Sequence, residues 1–190
     1  MRGFVRVAGV DEAGRGPLAG PVVAAAVIFL ELRAPAGLDD SKRLGASKRA
    51  ALYNELTACP WVVWAVAEAS PAEIDARNIL RATHAAMARA VEAVGAAHAI
   101  VDGLPVRGLP VPHDAVVGGD GKCLSIAAAS VLAKVTRDRF MEEADRQFPA
   151  YGFASHKGYG TAAHLENLRK YGPCPIHRRT FAPVAQGTLL

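Results

Sequence analysis

One segment of the sequence limits the possible folds more than any other. Residues 22–30 (VVAAAVIFL) form a continuous apolar run that is rich in β-branched side chains, which is typical of a strand buried on both faces of a sheet. Residues 4–10 alternate apolar and polar side chains and stop at Asp11-Glu12, which predicts a second strand. Because a glycine-rich turn joins the two segments, we expect them to form a hairpin.

Helical and strand patterns alternate through the rest of the chain. Residues 61–67 and 98–101 are predicted strands, and residues 104–113, with three prolines, are a predicted loop. Helices are predicted at residues 47–58, 124–147 and 161–171, and a further one starts at the capping box Ser70-Pro71-Ala72-Glu73 and ends at Gly95. This alternation predicts an α/β domain with a more irregular C-terminal part.

Composition excludes several classes of protein. A chain of 190 residues is of the size of one domain. Its longest uncharged stretch in the N-terminal half is residues 16–30 and contains Pro17 and Pro21, whereas a membrane-spanning helix needs about 20 apolar residues. Asp11 and Glu12 fall where the apolar part of a signal peptide would run. We therefore expect no membrane segment, no signal peptide and a cytoplasmic location.

The cysteines agree with that location. Cys59, Cys123 and Cys174 are an odd number and form no C-x-x-C pair, so neither a disulfide framework nor a four-ligand zinc site is predicted. Cys174 and His177 have a spacing that zinc ligands use, but no second pair completes a tetrahedral site.

The net charge of +4 comes from the last 44 residues. The first 146 residues contain 17 basic and 17 acidic side chains. After them the basic residues face only Glu166, and they are Lys157, Arg169, Lys170, Arg178 and Arg179. A basic segment of this kind indicates binding of a polyanion, and the alternative is an ordinary solvated surface.

Three acidic positions share one local pattern, in which a carboxylate follows an apolar run. They are Asp11-Glu12, Asp102 and Asp120. Because sites in open α/β sheets gather at strand ends, these carboxylates are predicted to converge. Such a cluster is stabilised by shared protons or by a hard cation, and the absence of His or Cys ligands favours Mg²⁺ or Mn²⁺. The alternative is that each Asp only caps a strand or turn.

Two details qualify this prediction. Adjacent residues on a regular strand point to opposite faces, so Asp11 and Glu12 serve one cluster only if the strand bends or ends there. The glycines that follow, at positions 14, 16 and 20, resemble a dinucleotide-binding fingerprint, but the spacing is different and the segment leads into a strand instead of a helix. Flexible backbone around Arg15 is better suited to close approach to a sugar-phosphate chain.

The sequence resembles the ribonuclease HII family, the bacterial type 2 ribonucleases H, over residues 4–181. The motifs that carry the resemblance are DEAGRGP at 11–17, Asp40-Ser41-Lys42, Val101-Asp102-Gly103, Gly119-Asp120, SIAAASVLAKV at 125–135 with Arg137-Asp138, and HKGYGT at 156–161. Residues 125–135 are also interpreted as a packing helix, with Lys134 and Arg137 as ordinary surface charges.

The resemblance implies an RNase H-like fold with a mixed central sheet flanked by helices and a small irregular or helical C-terminal segment. It implies cleavage of the RNA strand of RNA–DNA hybrids, including single ribonucleotides embedded in duplex DNA, by two Mg²⁺ or Mn²⁺ ions, leaving 5′-phosphate and 3′-hydroxyl ends. Asp11, Glu12, Asp102 and Asp120 would form the catalytic, metal-binding set. The substrate contacts would be Gly14, Arg15, Gly16, Ser41, Lys42, Lys157 and Tyr159, with Tyr159 packed on the sugar.

We further expect a monomer in which residues 1–146 form the catalytic domain and residues 147–190 pack on the same domain and contact substrate. Two other classes of function stay open at this point. One is a nucleic-acid-binding module without catalysis that uses only the basic C-terminal segment. The other is a nucleotide-dependent oxidoreductase, which would retain a coloured cofactor on purification. Tyr159 also has a plain alternative role as a loop aromatic packed on the core.

Overall fold

The computed structural model of the protein describes residues 6–39 and 41–187. Within these residues, five strands form one sheet, and they are β1 (Val7–Ala13), β2 (Val22–Phe29), β3 (Val62–Ala69), β4 (His98–Asp102) and β5 (His113–Val116). The helices are α1 (Ala46–Ala58), α2 (Pro71–Arg77), α3 (Ile79–Ala93), α4 (Leu124–Gln147), α5 (Phe153–His156), α6 (Ala162–Tyr171) and α7 (Ala182–Gly187). A 3₁₀ turn at Gly119–Gly121 precedes α4.

The sheet is mixed, with strand order β3-β2-β1-β4-β5. The predicted hairpin is confirmed, because β1 and β2 pair antiparallel, and β3 continues the antiparallel half. β1, β4 and β5 are parallel. The prediction that the first strand stops at Asp11-Glu12 is wrong: β1 continues to Ala13, which pairs with Val23.

Helices cover both faces of the sheet, as predicted. On one face, Val10, Val22 and Ala24 pack with the apolar side of α3. On the other face, Val23, Ala25 and Val27 pack with α1 and with the alanine-rich first half of α4. Alternate residues of β2 thus enter separate cores, which explains why its sequence is apolar without interruption.

The contact between α4 and β1 is especially close at Gly9. A β-carbon at this position would lie 2.2 Å from the carbonyl carbon of Ser125 and 2.4 Å from the amide nitrogen of Ile126. Only glycine therefore lets the first turn of α4 lie directly on the strand. The face of β1 that carries Gly9 is the face that carries Asp11, two residues later.

Two further features of the structure differ from the sequence predictions. The helix predicted from Ser70 to Gly95 is broken at Asn78, whose φ is 69° and whose side chain accepts a hydrogen bond from the amide of Arg81 at 3.0 Å. Asn78 thereby caps α3, while Ser70 caps α2 by accepting from the amide of Glu73. The short edge strand β5 was not predicted, because it starts at His113, where the proline-rich loop ends.

The C-terminal segment returns to the loop that joins β1 and β2. The amide of Gly20 donates to the carbonyl of Ile176 at 2.9 Å, and the amide of Arg178 donates to the carbonyl of Leu18 at 2.9 Å. Apolar contacts of Tyr151, Phe153 and Cys174 with Met141 fix the segment to the second half of α4.

Among the helices of the described residues, none combines the length and the apolar composition needed to cross a membrane.

Candidate active site

Asp11 and Asp102 are brought together by the register of two parallel strands. Val10 of β1 is aligned with Val101 of β4, so the next residue on each strand is an aspartate. Both side chains lie on the face that α4 covers, because each is two residues beyond an aligned pair, Gly9 and Ile100, on that face. The sheet thus forces two carboxylates into neighbouring positions.

Asp120 reaches the same place from the turn after β5. The amide of Gly119 donates to Oδ1 of Asp102 at 2.7 Å, which ties the turn to the end of β4. One carboxylate oxygen from each of Asp11, Asp102 and Asp120 lies within 4.8 Å of the others. Asp11 is 5% exposed and Asp120 is 8% exposed. The predicted convergence of these three residues is therefore present in the structure.

The electrostatics of the cluster are unfavourable without a cation. Burial, followed by repulsion from Glu12 and from the two other aspartates, raises the pKa of Asp11 well above its usual range. Lys42 lies 3.4 Å from Oδ2 of Asp120, but its side chain is 77% exposed. Because all the donors are carboxylate oxygens, the residues suit a hard cation such as Mg²⁺ or Mn²⁺.

Glu12 is the one predicted ligand outside this trio. Since β1 continues past it, its side chain leaves the strand on the face opposite to Asp11. Its carboxylate forms an ion pair with Arg15 at 3.4 Å. Burial raises the pKa of Glu12, Arg15 opposes that rise, and the charge on Asp102 adds to it, so Glu12 is electrostatically coupled to the cluster.

The loop that contains Gly14, Arg15 and Gly16 follows Glu12 in the chain and contacts Tyr159. A β-carbon at Gly16 would lie 3.7 Å from the ring of Tyr159, and this ring is 48% exposed. The amide of Leu18 donates to the carbonyl of Gly158 at 2.8 Å. Two motifs that are far apart in sequence thus form one surface, which the ion pair of Arg15 joins to Glu12.

Two buried arginines hold this loop in place, and the sequence patterns predict this role for neither of them. Arg178 is 0% exposed and donates to five backbone carbonyls, those of Gly14, Arg15, Pro17, Gly20 and Pro21. Arg137 is 1% exposed and donates to the carbonyls of Ala19, Pro21 and Lys157. The interpretation of Arg137 as a surface charge is wrong. Arg178 likewise contributes no exposed charge to the basic segment.

Gly14 is shaped by the same contacts. Its φ is 95°, which other residues rarely adopt, and a β-carbon there would lie 2.0 Å from Nε of Arg137.

Burial, followed by repulsion from Arg137, lowers the pKa of Arg178, so its charge depends on the carbonyl dipoles around it. A buried arginine that donates to many carbonyls cannot be predicted from any periodic pattern in the sequence.

The remaining predicted contacts are more dispersed. Ser41 is 5% exposed, and its amide donates to Oγ of Ser130 at 3.2 Å. The ammonium of Lys157 donates to Glu142 at 2.7 Å, and its carbonyl accepts from Arg137. Asp40, part of the motif with Ser41 and Lys42, lies outside the described residues.

Comparison with known proteins now decides the family. Residues 8–184 match the family model for ribonuclease HII. The ribonuclease HII of Geobacillus kaustophilus is 55% identical over 186 residues, which cover 97% of this chain and 71% of that protein. The chain belongs to the ribonuclease HII family.

Solved structures agree with that membership. The ribonuclease H2 of Pyrococcus horikoshii superposes with a TM-score of 0.77 at 28% identity and covers 96% of both chains. Bst ribonuclease HIII, solved in complex with Mn²⁺, has a TM-score of 0.72 at 18% identity and covers 98% of this chain and 70% of its own. The predicted RNase H-like fold is confirmed. As a member of the family, the chain is a metal-dependent endoribonuclease that acts on RNA–DNA hybrids.

Replacement of Arg178 by lysine tests the role of this residue in the loop. An ammonium group cannot reach five carbonyls, so we expect Arg178→Lys to lower the free energy of unfolding by about 2 to 4 kcal/mol, measured by urea denaturation. Arg179→Lys is the matched control, because Arg179 is exposed, and it should change the free energy of unfolding by less than about 0.5 kcal/mol. Equal stability of the two variants would contradict the assignment.

Proposed function

We propose that Asp11, Glu12, Asp102 and Asp120 hold two Mg²⁺ or Mn²⁺ ions that hydrolyse the RNA strand and leave 5′-phosphate and 3′-hydroxyl ends. When bound, such ions activate water as the nucleophile and stabilise the leaving oxygen. The observation that carries the proposal is the trio of carboxylate oxygens within 4.8 Å of one another, from two buried aspartates and the half-buried Asp102. A protein maintains such repulsion when a cation compensates it in the working state.

Glu12 has a different part in this arrangement from that of the three aspartates. Its side chain leaves β1 on the face opposite to Asp11, and its carboxylate pairs with Arg15 and interacts electrostatically with Asp11 and Asp102. We assign to it the outer side of the metal site, next to the glycine loop. Arg15 is thereby oriented by a metal-site residue, which couples the position of the substrate-binding loop to the position of the ions.

The proposed substrate includes DNA duplexes with a single embedded ribonucleotide. The backbone at Gly14, Arg15 and Gly16 and the ring of Tyr159 form one surface, and a sugar bound on it would lie beside the carboxylates. The 2′-hydroxyl, which both donates and accepts hydrogen bonds, is the group that distinguishes a ribonucleotide there. A half-exposed aromatic ring offers an apolar face to the sugar while excluding water.

We assign the flanking phosphates to Ser41, Lys42 and Lys157. Lys42 is the best placed of the three, because its exposed ammonium lies next to Asp120. Lys157 would have to exchange Glu142 for a phosphate. We propose that residues 147–190 complete the substrate surface through Tyr159, with the enzyme acting as a monomer.

Cleavage of a duplex with one embedded ribonucleotide tests the proposal directly. We expect wild-type enzyme to cut it with Mg²⁺ or Mn²⁺, and Asp102→Asn to lower kcat at least about 100-fold. Asparagine keeps an oxygen that accepts from the amide of Gly119, so the turn should stay folded. Asp114→Asn, at a side chain that is 76% exposed, is the control and should retain activity.

The same assay separates the proposal from its alternatives. Full activity of folded Asp102→Asn would contradict the metal assignment. Tight duplex binding by wild-type enzyme without product in either metal would instead support a non-catalytic binding module.

Tyr159→Ala tests recognition of the ribonucleotide. Because the ring is expected to contact one sugar only, the variant should lose about tenfold in kcat/KM on the one-ribonucleotide duplex while its Kd for an all-DNA duplex changes by less than about threefold. Tyr171→Ala is the control, since this ring is also half-exposed but lies at the end of α6. Equal losses in kcat/KM and in affinity for Tyr159→Ala would contradict the sugar-sensing role.

A further inference from the structure

A cluster of three histidines lies under the loop that carries Tyr159, outside the acidic site. His164 and His177 are 0% and 1% exposed, and their Nε2 atoms lie 3.0 Å apart. The ring of His156 stacks on that of His164 with centroids 4.4 Å apart. No carboxylate is among the hydrogen-bond partners that these three rings have within the described residues.

The hydrogen bonds fix the proton on each ring of the buried pair. The amide N–H of Cys174 can only donate, so Nδ1 of His177, 3.0 Å away, must accept. His177, when neutral, therefore carries its proton on Nε2 and donates it to Nε2 of His164. His164 must then carry its proton on Nδ1, which lies 2.9 Å from the carbonyl of Tyr159. One directed chain of donors thus runs from Cys174 to Tyr159.

The position of the proton on His156 is fixed in the same way. The amide of Gly158 donates to Nδ1 of His156 at 3.2 Å, which leaves the proton on Nε2 for the carbonyl of Tyr151 at 2.8 Å. The carbonyl of His156 in turn accepts from the amide of Tyr159 at 2.9 Å. The backbone of Tyr159 is therefore held at its amide by the carbonyl of His156, and its carbonyl accepts both from the ring of His164 and from the amide of Thr161 at 2.8 Å.

We propose that His164 and His177 are positioning residues for ribonucleotide recognition: their chain of neutral imidazoles fixes the carbonyl of Tyr159 and thereby holds its ring against Gly16. The proposal rests on the sugar-sensing role of Tyr159 given above. Neither histidine is expected to touch substrate, because both are buried. Their effect is expected on the orientation of the aromatic ring, in the way that outer partners orient the groups that contact a ligand.

The chain requires both rings to be neutral. If His164 gained a proton, its Nε2–H would face the Nε2–H of His177, and if His177 gained one, its Nδ1–H would face the amide of Cys174. The ionisable groups around the pair are His156, Cys174, Tyr151 and Arg179. In agreement, burial and the neighbouring His164 lower the pKa of His177 to about 4, and burial also lowers the pKa of His164.

Variants of His164 separate positioning from packing. His164→Leu fills the space without a donor, and we expect it to lose about tenfold in kcat/KM on the one-ribonucleotide duplex, mainly in kcat, with Kd for an all-DNA duplex within about threefold of wild type. In His164→Asn, the amide group occupies the position of Nδ1 and still donates to Tyr159, so kcat/KM should stay within about threefold of wild type. Rescue by Asn but not by Leu identifies the donor as the active feature.

The outcomes distinguish this proposal from the one on which it rests. If Tyr159→Ala lowers kcat/KM tenfold but folded His164→Leu matches wild type, the positioning role is overturned while the role of Tyr159 stands. If Tyr159→Ala itself has no effect, both fall.

A second measurement does not depend on any variant folding. Imidazole ¹⁵N chemical shifts of the wild-type protein at pH 7 should show the Nδ1–H form of His164 and the Nε2–H form of His177. The opposite tautomers, or a charged ring in either residue at that pH, would overturn the chain.

Discussion

Repulsion between carboxylates is the constraint around which this molecule is organised. Three aspartates come within 4.8 Å of one another because β1 and β4 are in register at Val10 and Val101 and because the turn after β5 is tied to Asp102. The energy for this arrangement comes from elsewhere, namely from the two apolar cores and from the contact of α4 with Gly9. A sheet that is well packed on both faces can hold charges in positions that they would not adopt in water.

The second organising element is the pair of buried arginines. Arg137 on α4 and Arg178 near the C-terminus converge on the carbonyls of the loop between β1 and β2, which passes the acidic cluster. Because of these contacts, part of the positive charge in the last 44 residues is not available to bind a polyanion. Part of that charge is used inside the protein to shape the loop, and Lys157 is paired with Glu142. Under the proposed function, the C-terminal segment therefore contributes to recognition mainly by its fold and by the placement of Tyr159.

Much of this architecture is predictable from local patterns. The hairpin, the apolar second strand and the bounds of α4 follow from side-chain periodicity, and the placement of Asp11, Asp102 and Asp120 after apolar runs is enough to predict their convergence. The break at Asn78 is less visible, because both sides of it have helical periodicity and one backbone conformation separates them. The role of Arg178 depends on contacts with residues about 160 positions earlier in the chain, for which a single sequence carries no signal. The contacts of His164 and His177 are closer in sequence, but they depend on ring orientations that no periodic pattern encodes. The position of Glu12 is partly predictable, because the alternation of side chains along a strand already places its side chain on the face opposite to Asp11.

The most direct test of this account is the stability of Asp11→Asn with and without Mn²⁺, measured by urea denaturation at pH 7. Asparagine can still accept from the amide of Glu12, but it removes the buried carboxylate whose pKa is raised, so the metal-free variant should be more stable than metal-free wild type. This gain should shrink as the pH falls through the raised pKa of Asp11, because protonation then removes the charge from wild type as well. Mn²⁺ should stabilise wild type and leave the variant almost unchanged. A less stable metal-free variant, or equal stabilisation of both proteins by Mn²⁺, would contradict the claim that these carboxylates are held together for a cation.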